Sequence, residues 1–220
     1  MRTFGEIYTI AAERKGGAKA LEAMLPRPQP PEVLAAIPEH RWLASFSKYL
    51  FATGLNWSLI EAKWPGFEEA FSGFDPDICA MIVEDRFDAL LADTRIIRHA
   101  AKIEAVRKNA VLLQELRAEG GIARLVAGWP GTEYDTLLGM LKARGGRLSG
   151  TSGAYALRAL GRDGYVLTRD VVRRLIAEGV VDSTPAKEAA MRKVQTAFNI
   201  WAAQSGRSLT EISHTLALSV

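Results

Sequence analysis

The stretch that decides the fold is Leu141-Lys142-Ala143-Arg144-Gly145-Gly146-Arg147-Leu148-Ser149-Gly150-Thr151-Ser152-Gly153-Ala154-Tyr155-Ala156-Leu157. Its pattern predicts an amphipathic helix, a glycine-bearing hairpin and a second helix. Glycines let a backbone pass close to another surface, and the start of the second helix presents unpaired N–H groups with a partial positive dipole. We therefore expect an anion site with the form of a helix-hairpin-helix, at about residues 137–160. A glycine-rich turn that merely joins two core helices has the same letters and is the alternative interpretation.

Basic residues are concentrated around this hairpin. Residues 141–175 contain eight Lys and Arg against two Asp, while the 220-residue chain has a net charge of only +3. Such a segment suits nucleic-acid phosphate, because binding to phosphate is driven by charge neutralisation and counterion release. A solvated helical face would look the same by charge alone. The residues expected to contact DNA here are Arg147, Ser149, Gly150, Thr151 and Ser152.

The rest of the chain predicts an all-α protein, since helical spacing recurs and strand alternation is nearly absent. A composition of 48% hydrophobic and 24% charged residues is that of an ordinary globular protein. We expect one all-α domain over residues 1–220, with the N-terminal and C-terminal helices packed together. No membrane span or signal peptide is visible, and the single Cys79 fits a reducing compartment, so a cytoplasmic location is expected.

Local signals place several helix ends. Asn56 is predicted to cap a helix that Trp64-Pro65-Gly66 then breaks. Asp75-Pro76 has the form of a helix start, with a capping carboxylate and a proline at the first position. The longest helix is expected from about Ile97 to Arg117.

Upstream of the hairpin, short motifs follow one another in a specific order: Gly54-Leu55-Asn56-Trp57, Phe74-Asp75-Pro76, Ile96-Ile97-Arg98-His99, Lys102-Ile103 and Asn109-Ala110. With this order and spacing the chain resembles 3-methyladenine DNA glycosylase I over residues 41–110 and again over 141–172. The resemblance implies an all-α, helix-hairpin-helix DNA glycosylase-like bundle. It implies a monomeric repair enzyme without a cofactor that flips an alkylated adenine, 3-methyladenine above all, out of double-stranded DNA and hydrolyses its N-glycosidic bond.

The resemblance also assigns pocket residues. Trp57 matches the tryptophan on which the flipped base stacks, although by itself it would equally suit a core aromatic. Gly54 and Leu55 match the turn that enters the gap left in the duplex, with Leu55 as an apolar wedge. Tyr49 stands where the family has a glutamate that reads the adenine edge, and a phenol cannot supply a carboxylate.

Other positions depart from the family. The family ties its termini with zinc held by two Cys and two His, but here the start of the chain has neither, and Asp170 and Arg174 stand at the C-terminal ligand positions. We therefore expect no metal. Arg98 and His99 do match a family motif, and we expect them to form a satisfied buried pair that orders the neighbouring helices.

The hairpin with a downstream aspartate resembles the wider helix-hairpin-helix glycosylase superfamily, in which that aspartate faces the sugar of the extruded nucleotide. Asp170 lies 18 residues after Ser152, close to the superfamily spacing, and is the expected catalytic residue. A two-residue shift of register would put Thr168 there instead, and Asp170 could also simply cap the following helix. Ser152 occupies the position of the superfamily's nucleophilic lysine, so a monofunctional glycosylase without strand cleavage is expected.

Two other function classes stay open. A catalytically silent helix-hairpin-helix DNA-binding protein would keep the fold without the pocket, and Tyr49 favours it. A helical interaction protein without a nucleic-acid partner is the third. The sequence has no phosphate-loop motif. It also has no close catalytic triad or metal-ligand cluster, since His40, His99 and His214 are dispersed along the chain.

Overall fold

The computed structural model describes residues 1–220 and contains fourteen α-helices and no strand, which confirms the all-α prediction. In chain order the helices are α1 (Phe4–Arg14), α2 (Ala18–Glu22), α3 (Pro31–Ala35), α4 (Glu39–Ala52), α5 (Trp57–Ala70), α6 (Pro76–Ala80), α7 (Glu84–Ala92), α8 (Ala100–Leu116), α9 (Ile122–Gly128), α10 (Tyr134–Arg144), α11 (Ser152–Ala159), α12 (Arg169–Ala177), α13 (Glu188–Ser205) and α14 (Leu209–Leu218).

Helix α4 lies at the centre of the packing. It contacts α5, α8, α9 and α11, and its Trp42 and Phe46 are completely buried. Both ends of the chain contribute to the same apolar cluster, which extends from Phe4 to Leu216, because α1 packs against α13 and α14. The hairpin helices α10 and α11 therefore rest on a continuous core.

The predicted starts of α5 and α6 are confirmed. The Asn56 side chain accepts a hydrogen bond from the Ser58 N–H at 2.9 Å, and Asp75 caps α6 with Pro76 at the first position. Each cap satisfies N–H groups that have no partner within the helix. Each capping residue lies within three residues of the N–H groups that it caps, so the sequence shows the cap directly.

The predicted break at Trp64-Pro65-Gly66 is wrong, because α5 continues through Pro65 to Ala70. Pro65 cannot pair with the Glu61 carbonyl, but Phe67 beyond it is fully buried and holds the helix against the core. Gly66 lies directly on the segment before α8, since a Cβ there would come 2.8 Å from the Cβ of Arg95. The helix predicted from Ile97 starts at Ala100, and α13, with 18 residues, is the longest.

Buried ion pairs join the two ends of the chain. The Glu178 carboxylate, with a side chain only 1% exposed, accepts hydrogen bonds from the Arg2 backbone N–H and guanidinium at 2.8 Å each. Arg174 also pairs with Glu178 at 3.3 Å and donates to the Ser219 Oγ at 2.8 Å. These contacts hold α12 against both the residues that precede α1 and the C-terminal residues. None of the helices combines the length and the apolar content needed to cross a bilayer.

Candidate active site

Three aromatic side chains meet where α4, α5 and α11 come together, and we call Tyr49, Trp57 and Tyr155 the aromatic face. The Tyr49 ring is stacked on Tyr155 with 5.8 Å between centroids and an angle of 6°. Trp57 lies on the other side, tilted by 31° with its centroid 5.2 Å from that of Tyr49. Because 42% of Trp57 is exposed, an incoming planar group can reach its indole.

The turn between α4 and α5 places Trp57 and Leu55 at this surface. Helix α4 ends at Ala52, Gly54 has φ +76°, and Asn56 caps α5, so the chain reverses within four residues. A positive φ is adopted readily by glycine and rarely by other residues. Leu55 at the tip of the turn is 39% exposed, so its side chain is accessible to a ligand.

A cation and a carboxylate lie close to the indole. The Lys48 Nζ is 5.4 Å from the centroid of Trp57 and 5.0 Å from that of Trp64, so it is near both tryptophans. Glu61 on α5 pairs with Lys48 at 2.5 Å. The Lys48 cation is attracted to both rings, and its ion pair with Glu61 largely neutralises the charge beside the aromatic face.

Tyr49 carries one of the hydrogen-bonding groups of the aromatic face. Burial raises the pKa of its phenol, and the nearby Glu61 and Tyr155 raise it further. The hydroxyl is therefore protonated and neutral at neutral pH. It can donate one hydrogen bond or accept one, whereas a carboxylate could only accept.

The hairpin between α10 and α11 presents polar groups to solvent. Arg147, Ser149, Gly150 and Thr151 are exposed, so their side chains and backbone can be reached by a large ligand. Ser152 differs from them: it is buried, and its Oγ lies 2.8 Å from the carbonyl oxygens of Arg147 and Ser149. Its side chain braces the hairpin from the inside and leaves only its backbone N–H at the helix start.

The hairpin is held at close range by α8. A Cβ on Gly146 would come 2.8 Å from the carbonyl oxygen of Ala105, so only glycine permits this approach. The Asn109 side chain both accepts from the Gly146 N–H at 2.6 Å and donates to its carbonyl at 3.1 Å. A buried amide that meets both polar groups of one peptide unit fixes that unit firmly.

Asp170 lies in the first turn of α12 and is exposed. Its only partner is Arg173, one turn further along, at 3.5 Å. The N-cap of α12 is Thr168, whose side chain accepts from the Val171 N–H, so Asp170 is not the cap. Asp170 makes no hydrogen bond or ion pair with the aromatic face or the hairpin, and α12 packs mainly on α14.

The expectation that Arg98 and His99 form a buried pair is wrong, since both side chains are exposed. They lie in the extended segment that precedes α8, in which Ile96 is the residue that points into the core. Neither side chain has a hydrogen-bond partner within the protein, which leaves two basic groups facing solvent beside the start of α8.

The residues at the expected zinc positions do not fit a metal. Arg174 carries only hydrogen-bond donors and uses them on Glu178 and Ser219, and Asp170 is paired with Arg173. The described chain contains no group of three or more His, Cys, Asp or Glu that could hold a metal ion. The ion pairs of Glu178 hold the two ends of the chain together here.

Sequence reasoning missed three residues that build this site. Tyr155 extends the aromatic face, although it lies more than a hundred residues after Tyr49 in the chain. Lys102 and Asn109 were visible only as parts of a motif, and their contacts with the turn after α4 and with the hairpin needed the fold. The spacing of 102 and 109 at two helical turns was the one available signal.

Comparison with known proteins identifies relatives of the central part of the chain. A family model described as methyladenine glycosylase matches residues 43–157, just over half of the chain. DNA-3-methyladenine glycosylase of Haemophilus influenzae is 40% identical over 57 residues, which cover 26% of this chain and 31% of that protein. DNA-3-methyladenine glycosylase 1 of Escherichia coli is 33% identical over 67 residues, covering 30% and 36% respectively. The chain thus matches about a third of the length of these curated relatives.

Solved structures show the fold. A crystal structure of 3-methyladenine DNA glycosylase I superimposes with a TM-score of 0.51 at 23% identity, covering 66% of this chain and 87% of that one. The enzyme from Staphylococcus aureus, described for its recognition of 3-methyladenine, gives 0.51 at 22% identity over 66% and 84%. At this level of identity the likeness shows the all-α fold of these glycosylases and does not by itself assign a reaction.

Proposed function

The chain belongs to the methyladenine glycosylase family, and from that membership we propose that it is a DNA repair enzyme. It extrudes an alkylated purine, 3-methyladenine first, from double-stranded DNA and hydrolyses the N-glycosidic bond. The observation that carries the proposal is the aromatic face beside an exposed leucine turn, with the hairpin attached to the same core. The protein acts as a monomer in the cytoplasm and needs no cofactor.

In this mechanism Leu55 fills the gap in the base stack and the extruded base lies on Trp57. An alkylated purine with a positively charged ring gains from stacking on an aromatic face. The Tyr49 hydroxyl supplies a hydrogen bond to the edge of the base. The exposed backbone of the hairpin, with Arg147, holds phosphate without reading sequence.

The chemistry asks little of the protein. Alkylation at a ring nitrogen makes the purine a good leaving group, so the C1′–N bond breaks without prior protonation of the base. Water then adds to C1′ and its proton passes to solvent. Asp170 remains the predicted carboxylate that stabilises the positively charged sugar. Its support is the spacing from the hairpin and its accessibility at 53% side-chain exposure.

The proposal is tested with duplex DNA treated with a methylating agent. Wild type, Asp170→Asn and the control Asp182→Asn, which alters an exposed carboxylate without an ion pair, are incubated with it, and released bases are identified by chromatography. We expect 3-methyladenine from wild type and control, and a loss of at least about tenfold for Asp170→Asn. Equal release by all three would transfer catalysis to the aromatic face.

Absence of release with salt-sensitive binding retained would instead support the silent DNA-binding protein. The specific observation that favours this second candidate is Tyr49, a phenol where a carboxylate is expected. Because Ser152 is buried and offers no amine, borohydride is not expected to trap a protein–DNA adduct. Such an adduct would contradict the monofunctional mechanism.

A further inference from the structure

We infer that Lys102 is a positioning residue for base extrusion, which it serves by holding the leucine turn, residues 53–56, in register with the hairpin. This inference rests on the proposed function, because it concerns the step that opens the duplex. Lys102 is 5% exposed, and its Nζ donates to the carbonyl oxygens of Phe51 at 2.9 Å and Thr53 at 2.8 Å. Phe51 lies in the last turn of α4 and Thr53 is the residue that follows its end, so both carbonyls are at the negative end of the helix and have no partner within it.

Burial of the Lys102 cation lowers the stability of the fold, which indicates that this residue has a role other than stability. No carboxylate pairs with Lys102, and burial together with the nearby Arg147 lowers its pKa. A buried cation without a counter-anion lowers the stability of a fold, and hydrogen bonds to carbonyl oxygens offset only part of that loss. The two bonds hold the backbone that enters the turn carrying Leu55.

The same helix holds the hairpin. Lys102, Ala105 and Asn109 lie at spacings of three and four, so all three project from one face of α8. Ala105 contacts Gly146 and Asn109 forms hydrogen bonds with both of its backbone groups. One rigid element of about two turns therefore sets the distance between the leucine turn and the hairpin.

Loss of Lys102 would release the turn and leave the hairpin attached. Gly54, at φ +76°, has open space where a Cβ would lie, and the backbone hydrogen bond of the turn is local, from the Leu55 N–H to the Ala52 carbonyl at 3.0 Å. We therefore expect the variant to bind undamaged duplex normally but to extrude bases poorly. A misplacement of about 1 Å can cost a factor of up to about a hundred in rate.

The test uses Lys102→Met with Lys108→Met as its control, an exposed lysine on α8 without a hydrogen bond or ion pair. Leucine insertion is read from the fluorescence of 2-aminopurine placed beside a tetrahydrofuran abasic-site analogue in a duplex. Base release from methylated duplex is measured under single turnover at saturating protein. For Lys102→Met we expect both signals to fall about tenfold, with affinity for undamaged duplex within about twofold of wild type.

Two further variants separate positioning from folding. If Lys102 acts through Leu55, the effects of Lys102→Met and Leu55→Ala on the fluorescence signal will not add in a double-mutant cycle. Gly54→Ala keeps Lys102 and strains only the turn, so it should reproduce the defect in a folded protein.

Additive effects, or an unchanged fluorescence signal in Lys102→Met, would overturn the inference. The fluorescence signal does not require catalysis. A wild type that inserts the leucine but releases no base would therefore contradict the proposed function and leave this inference standing.

Discussion

At the scale of single residues, Trp57 is the side chain whose chemistry is most open to test. Stacking of a base on an aromatic ring contributes about 1–3 kcal/mol. Trp57→Ala should therefore lower base release by roughly ten- to a hundredfold, and Trp57→Phe should lose less. Because the indole is 42% exposed, the thermal midpoint should change little.

The matched control is Leu59→Ala, which removes another exposed apolar side chain of α5. Single-turnover release from methylated duplex measures the effect. Equal losses in Trp57→Ala and Leu59→Ala would show that the substitutions act on α5 as a whole and would remove the stacking role.

His214 predicts a pH dependence of stability. Burial and the neighbouring Arg158 lower the pKa of this imidazole from 6.5 to about 4. Between pH 6.5 and about 4 the imidazole of His214 is protonated in the unfolded chain and neutral in the folded protein. The free energy of unfolding should therefore fall as the pH drops from 6.5 towards 4.

Urea unfolding at pH 7 and pH 5 measures this effect, and His214→Gln is the variant that removes it. The drop between the two pH values should be smaller in the variant than in wild type. An identical drop in both proteins would assign the acid sensitivity to other groups.

At the scale of elements, the contact between α8 and the hairpin is tested with alanine. Gly146→Ala places a Cβ 2.8 Å from the Ala105 carbonyl oxygen, and backbone on both sides cannot yield easily. We expect the hairpin to be displaced, with a loss of about 1–3 kcal/mol in stability and weaker duplex binding. Fluorescence anisotropy of a labelled duplex and urea unfolding measure the two effects.

Gly139→Ala in α10 is the matched control, because its Cβ would meet nothing within 4 Å and it is exposed in a helix interior. Alanine there should stabilise the protein by about 0.5–1 kcal/mol and leave duplex binding unchanged. Tolerance of Gly146→Ala equal to that of Gly139→Ala would show that the hairpin is not held by close contact.

At the scale of the whole molecule, the Glu178 ion pairs join the ends of the chain. Glu178→Gln leaves the buried Arg174 and the half-exposed Arg2 without their carboxylate, so the free energy of unfolding should fall by about 1–3 kcal/mol. The exposed Glu188→Gln should be near neutral.

A chelator such as EDTA should not change the thermal midpoint, since the residues at the expected zinc positions do not fit a metal. A chelator-dependent midpoint would contradict that conclusion.

The shared core also leads us to propose that the chain unfolds as one domain. Apolar residues from Phe4 to Leu216 belong to one cluster, so separating the termini would expose the same core that supports the hairpin. Thermal unfolding followed by far-UV circular dichroism and by tryptophan fluorescence should give coincident transitions. Two separate midpoints would show independently folding parts.

The sequence by itself determined the all-α class, the starts of α5 and α6, and the hairpin. Caps such as Asn56 and Asp75, and a turn glycine such as Gly54 at φ +76°, act over a few residues, so their role can be predicted from the chain alone. The family was also recognisable, because its motifs are short, ordered and specific. Each of these features depends on local hydrogen bonding and backbone freedom, which neighbours in the chain decide.

Only the tertiary structure decided which residues meet. Tyr155 joins Tyr49 from another helix, and Lys102 reaches carbonyls about fifty residues earlier in the chain. Helix α5 continues through Pro65 because Phe67 beyond it is buried in the core. Arg98 is exposed because Ile96 is the residue of its segment that packs into the core. Such outcomes depend on the free energy of packing distant segments together, which outweighs local preference and has no signature within any one stretch of sequence.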